Sequence, residues 1–236
     1  MLLVSVVSAR EALEALHGGA DVIDVKNPAE GPLGAPQPRT VGEIMQAVAR
    51  RKPVSLALGE YPGRPTSAAW AALGAAGFAP AYLKIGFPGW VEKEEIDRTL
   101  KLVVQAVAEL GGETLPRVVA VGYADTTGRS WRPADLPGLA KEAGAAGCLL
   151  DTWDKTGPPL PRVTATAELE AFVGTCRANG LTSGLAGRLG EEEVVELLAL
   201  CPTVIGIRSA ACVGDRVNGC VTAERVGRLK RLLQPS

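Results

Sequence analysis

The chain has a single histidine, His17. That excludes zinc sites built from clustered histidines and argues against a Ser-His-Asp triad. An excess of charge of one sign is also missing. The 25 Lys+Arg residues face 26 Asp+Glu, for a formal net charge of −1. This balance argues against a nucleic-acid binder built on a general positive field. No apolar run approaches the roughly 18–20 residues needed to span a bilayer. The start, Met1-Leu2-Leu3-Val4-Ser5, has no basic lead-in and no small-residue cleavage site. No signal peptide and no membrane are therefore expected, and the expected compartment is the cytoplasm. The five cysteines (Cys148, Cys176, Cys201, Cys212, Cys220) are odd in number and form no CxxC pair. They are expected to be reduced thiols, mostly small core residues. No metal and no cofactor are expected.

Hydrophobic residues make up 47% of the chain and charged residues 22%, which excludes a disordered protein. A chain of 236 residues can bury a large core without disulfides or metals. Short apolar runs alternate with amphipathic stretches along all of it. The strands expected from these runs are 2–7, 22–26, 54–58, 82–86, 118–123, 148–151, 181–186 and 204–207. Helices are expected over 9–16, about 41–51 and about 67–75, then on a longer face carrying Ile96, Leu100, Val103, Val104, Val107 and Leu110. Further helices are expected over 136–143, 167–178, 191–200 and 223–233. Ser8 is the expected N-cap of the first helix and Gly18-Gly19 its stop.

Eight strand–helix units of about 30 residues each match the size of one βα unit. They imply a parallel sheet covered by helices, and eight of them closing on each other make a single-domain (β/α)8 barrel over residues 1–236. An open doubly wound sheet is the alternative. It usually carries a GxGxxG turn after the first strand, and that turn here reads Val7-Ser8-Ala9-Arg10.

A barrel keeps its chemistry at the C-terminal ends of its strands. Lysine is scarce in this chain, yet Lys26 and Lys84 each sit in the second half of an apolar strand. Burying an ammonium without a partner costs several kcal/mol. One reading is a structural ion pair across the barrel, such as Lys26 with Asp151. The other is a tuned amine. Desolvation and a second nearby cation both lower a lysine pKa, and two lysines at one mouth supply both. Such an amine can form a Schiff base with a carbonyl, while the second amine moves protons. Asp24 lies two residues before Lys26 and so shares its strand face. Asp125 and Asp151 end the fifth and sixth strands, and Lys155 follows in the next loop. Asp125 is a candidate substrate-binding residue and as readily a cap or loop aspartate, and Lys155 can reach a substrate or be a solvated loop lysine. The last two strands run into Gly187 and into Arg208-Ser209. Loops at these places often cradle a phosphate, and the alternative is plain tight turns. Arg208 is expected to be a loop residue whose loss costs substrate affinity and spares the fold.

The stretch from Gly18 through Asp24-Val25-Lys26-Asn27-Pro28-Ala29-Glu30-Gly31-Pro32-Leu33-Gly34 to Ala35 resembles the (5-formylfuran-3-yl)methyl phosphate synthase family. Tyr82-Leu83-Lys84-Ile85-Gly86, Val121-Gly122-Tyr123-Ala124-Asp125, Leu150-Asp151-Thr152 with Lys155, Leu185-Ala186-Gly187, and Gly206-Ile207-Arg208 to Cys212 extend the resemblance along the chain. It implies a barrel lyase that condenses two glyceraldehyde 3-phosphate molecules, with loss of phosphate and water, in the synthesis of methanofuran-type carriers. It implies that Lys26 forms the Schiff base and that Lys84 accepts a proton. It places Asp24, Asp151 and Lys155 in the same active site. The partners expected are a small phosphorylated substrate and further copies of the chain in a homo-oligomer. The same lysines would serve another Schiff-base aldolase of phosphorylated sugars. A non-catalytic phosphate-binding barrel would need the last two loops but not the two buried lysines.

Overall fold

A computed structural model describes residues 1–112, 114–215 and 217–234. Eight parallel strands pair in chain order: β1 (Leu2–Val6), β2 (Val22–Val25), β3 (Val54–Glu60), β4 (Tyr82–Phe87), β5 (Arg117–Tyr123), β6 (Gly147–Asp151), β7 (Thr182–Leu185) and β8 (Val204–Ile207). β1 pairs with both β2 and β8, which closes the barrel. The helices are α1 (Ala9–His17), α2 (Pro38–Val48), α3 (Pro65–Ala76), α4 (Lys93–Ala108), α5 (Leu136–Glu142), α6 (Leu160–Val163), α7 (Thr166–Ala178), α8 (Glu191–Leu198) and α9 (Ala223–Leu232). A small antiparallel hairpin, β9 (Cys212–Val213) with β10 (Cys220–Val221), follows β8. Neither the hairpin nor the single-turn α6 is foreseen in the sequence pattern. Among the described residues, no helix is long and apolar enough to cross a membrane.

Side chains alternate across each strand, and the two faces separate fold from site. The outward set, including Val4, Ile23, Leu56, Leu83, Ile85, Leu150 and Ile205, is buried against helix faces such as Ile96, Leu100, Val103 and Val107 of α4. The inward set differs. Leu3, Val22 and Val204 close the N-terminal end, and Ala57, Val121, Leu149 and Ala186 line the middle. Ser5, Asp24, Ser55 and Lys84 form a buried polar band between them.

Local chemistry sets the ends. Ser8 Oγ accepts from Glu11 N at 3.2 Å and starts α1, and Gly19 turns the chain at φ +86°. α2 begins at Pro38, three residues before the expected start, because proline is pre-set for the first turn of a helix. It ends at Val48, before left-handed Ala49 and Arg50. β2 ends at Val25, so Lys26 is the first residue beyond the strand. β3 runs on to Glu60 through a register shift. Of the five free thiols, Cys148, Cys176 and Cys212 are buried, whereas Cys201 and Cys220 are exposed.

Candidate active site

The site is built on the polar band. Asp24 of β2 lies between Ser5 of β1 and Ser55 of β3 in register. Ser5 Oγ donates to Asp24 Oδ2 at 2.8 Å, and Lys84 Nζ of β4 lies 2.6 Å from Asp24 Oδ1. Both members of that ion pair are buried, so the charges have each other in place of water. The strand lysine expected to face the mouth does so, with Asp24 as its partner.

Lys26 stands one layer higher. Its Nζ donates to the Pro32 carbonyl at 3.3 Å. The loop that supplies this carbonyl is the distinctive stretch of the sequence. Asn27 N donates to Gly34 O at 2.8 Å, and a Cβ on Gly34 would collide with the Asn27 carbonyl. The chain therefore folds tightly over Lys26 and keeps it dry. Burial lowers the Lys26 pKa most, and the Lys155 and Lys84 ammoniums lower it further. Asp151 and Asp24 oppose them, and the balance is about 7. A pKa lowered this far makes the neutral amine available near neutral pH, and that is the form that attacks a carbonyl.

Asp151, the last residue of β6, is partnered by Lys155 rather than by Lys26, with Nζ 2.5 Å from Oδ1. The backbone N–H of Thr152 adds a 2.7 Å bond to the same oxygen. Burial alone would raise the Asp151 pKa, but the Lys155 and Lys26 charges outweigh it and hold the carboxyl below its ordinary value. Lys155 is thereby a fixed cation on the site wall, not a solvated loop lysine.

The loops after β7 and β8 close the other side. Lys26, Lys84, Lys155, Asp24, Asp151, Gly187, Arg188, Arg208 and Ser209 line one cleft at the C-terminal mouth of the barrel. Five basic side chains meet two carboxylates in this lining, which favours an anion. Gly187 has φ +114°, and a Cβ there would lie 2.9 Å from both Cγ2 and the backbone N of Thr152. Gly187→Ala is expected to cost about 1–3 kcal/mol of stability, seen as a lower Tm, with weaker competition by inorganic phosphate.

Two expectations need correction. Arg208 lines the cleft but is no loose loop cation. Its Nη1 donates to the Ser5 carbonyl and to Glu11 Oε2, each at 2.9 Å, and both charged side chains are buried. Asp125 is taken up by the neighbouring loop. Its carboxylate accepts from the backbone N–H groups of Trp153 at 2.5 Å and Asp154 at 2.9 Å. It shapes the loop that carries Lys155, as a loop aspartate does.

Sequence reasoning missed three residues. Glu11 looks like an ordinary first-turn acid of α1, yet it also accepts from Val7 N and Val221 N. Tyr123 and Glu60 face each other across the mouth, with the Tyr123 hydroxyl donating to Glu60 Oε1. The position of Tyr123 at the inner end of an apolar strand was a usable signal. For Glu60 there was none, since a strand bulge turns it inward.

The chain matches the family model described as 4-HFC-P synthase over residues 2–230. It is 40% identical over 235 residues to the (5-formylfuran-3-yl)methyl phosphate synthase of Methanothermobacter thermautotrophicus, covering 99% of this chain and 98% of that one. Identity to the protein of the same name from Archaeoglobus fulgidus is 41% over 217 residues, covering 91% and 92%. Among solved structures, 3-hexulose-6-phosphate synthase from Salmonella typhimurium aligns with a TM-score of 0.62 at 16% identity, covering 99% of each chain. Phosphoribosyl anthranilate isomerase from Thermus thermophilus gives 0.62 at 19% identity, covering 98% of this chain and 97% of that one. Likeness at that identity speaks for the barrel alone. The full-length match to the family model and to its named members, over the same strand ends that carry the lysines, establishes that the chain belongs to the (5-formylfuran-3-yl)methyl phosphate synthase family of enzymes.

Proposed function

We propose that the protein condenses two glyceraldehyde 3-phosphate molecules to (5-formylfuran-3-yl)methyl phosphate, through an imine on Lys26 and with loss of phosphate and water, in methanofuran-type carrier synthesis. The observation that carries this reading is the buried Lys26 amine, held under the loop over residues 27–34 in the same cleft as Lys84 and Lys155. In the proposed sequence the neutral amine adds to the aldehyde carbon, and the resulting carbinolamine loses water to give the imine. The imine draws electrons from the adjacent C–H bond, so a nearby amine can take that proton. Lys84, an ammonium beside Asp24 at rest, suits this role once it has given its proton to the hydroxyl that leaves the carbinolamine as water. The neutral amine that remains takes the C–H proton, and Asp24 stabilises the ammonium so restored. Asp151 and Lys155 form the opposite wall, where Lys155 places positive charge beside a phosphorylated substrate. Gly187, Ser209 and the Arg208 wall supply the phosphate end of the same cleft.

Borohydride reduction during turnover tests the reading. Mass is expected on the peptide containing Lys26, with furan product detected by absorbance and mass in the untreated reaction. Label on Lys84 or Lys155 would overturn the assignment. Lys26→Arg is expected to stay folded and to lose both product and label, because a guanidinium keeps the charge but forms no imine.

A further inference from the structure

The β3 strand contains a device that the proposed chemistry leaves unused. Opposite β4, Ala57 pairs with Lys84 and Glu60 with Gly86. Three residues of β3 thus advance against two of β4. Without the extra residue, alternation would turn Glu60 out toward the helices. The bulge, with Gly59 at φ +96°, turns it inward instead. Gly86 makes the room. A Cβ there would lie 2.7 Å from Tyr123 Oη and 2.8 Å from Glu60 Cγ. Gly86 is two residues past Lys84 on the same face of β4, so the Glu60 carboxyl sits one layer above the Lys84–Asp24 pair. It accepts from the Tyr123 hydroxyl, and Leu33, in the loop that covers Lys26, bears on its charge.

We propose that Glu60, aimed by the β3 bulge and steadied by Tyr123, is the proton donor for loss of water from the condensed substrate. The inference rests on the condensation reading above. In this step a lysine amine takes a proton from carbon, and the C–H electron pair becomes the new double bond. The C–O bond on the neighbouring carbon breaks, and its electron pair leaves with the oxygen. That oxygen takes the Glu60 proton and departs as water, and the amine's proton then returns to the carboxylate. No outside oxidant or reductant is needed. Burial raises the Glu60 pKa, with the Tyr123 bond, the Leu33 backbone and the Lys155 charge opposing it. The titratable groups that bear on it are Tyr123 from β5, Lys155 from the loop after β6, and neighbouring Tyr61. Asp151 and Asp125 act on Tyr123 in turn.

Glu60→Gln keeps the shape and can accept the Tyr123 bond. Turnover is expected to fall at least about 100-fold, while borohydride labelling of Lys26 stays within about threefold of the parent. Turnover retained within threefold would overturn the proposal. So would labelling lost together with turnover, which marks an earlier or structural role. Tyr123→Phe leaves the carboxyl but removes a bond to its charged form. The alkaline limb of the kcat profile should then move to higher pH, and an unmoved limb counts against Glu60 as the acid. That second variant decides the matter should Glu60→Gln fail to fold. An unlabelled parent would sink the condensation reading and this proposal with it. A labelled parent with a fully active Glu60→Gln sinks this one alone.

Discussion

Arg208→Ala is expected to destabilise the protein by about 3–5 kcal/mol, the cost of leaving a buried charge without its partner. The stranded charge is Glu11, whose side chain is only 3% exposed. Its remaining donors, Val7 N and Val221 N, are neutral and were already in use. The Ser5 carbonyl loses its Nη1 donor in the same step. These groups tie the end of β1, the start of α1, the end of β8 and β10 to one guanidinium, so the loss falls on the seam where the barrel closes. For a chain of this size, such a change lowers Tm by about 6–20 °C. Thermal unfolding of the variant checks it, and the double variant Glu11→Ala/Arg208→Ala should lose less than the single changes summed. A variant that keeps the parental Tm and loses only substrate affinity would restore the simpler picture of a loop cation devoted to phosphate.

What the sequence discloses and what it hides follow one physical line. The eight strands are legible because strands buried on both faces are short apolar runs, and Val54 to Leu58 or Tyr82 to Gly86 have few other readings. Lys26 and Lys84 are legible because a cation inside such a run is costly enough to need a reason. The limits appear where a residue's meaning depends on a distant partner. Arg208 and Glu11 are 197 positions apart, and no local pattern joins them. Asp125 ends its strand much as Asp151 does, yet Asp125 binds the N–H groups of the next loop while Asp151 binds Lys155. Glu60 is hidden for a different reason. Alternation fixes a side chain's face only in an unbroken register, and the bulge that reverses it leaves no more trace than Gly59.

Lys84→Met is expected to lower turnover by about 10²–10⁴-fold, the range for losing a positioned acid or base, while labelling of Lys26 by borohydride persists. The persistence carries a sign. The Lys84 charge is one of the causes that hold the Lys26 pKa down to about 7. Removing it raises that pKa. Asp24, whose charge already raises that pKa, is the smaller of the two causes and does not reverse the sign. The amine therefore stays charged to higher pH, so the midpoint of labelling against pH must move upward from about 7. The unpaired Asp24 also costs stability, about 3–5 kcal/mol if its charge remains, and Asp24→Asn in the same chain should return part of it. Labelling measured across pH, beside turnover and Tm, separates the roles. A folded Lys84→Met protein that takes no label would show that the imine cannot form without Lys84. A midpoint that moves downward would mean that the cation lowering the Lys26 pKa lies elsewhere, with Lys155 the nearest claimant.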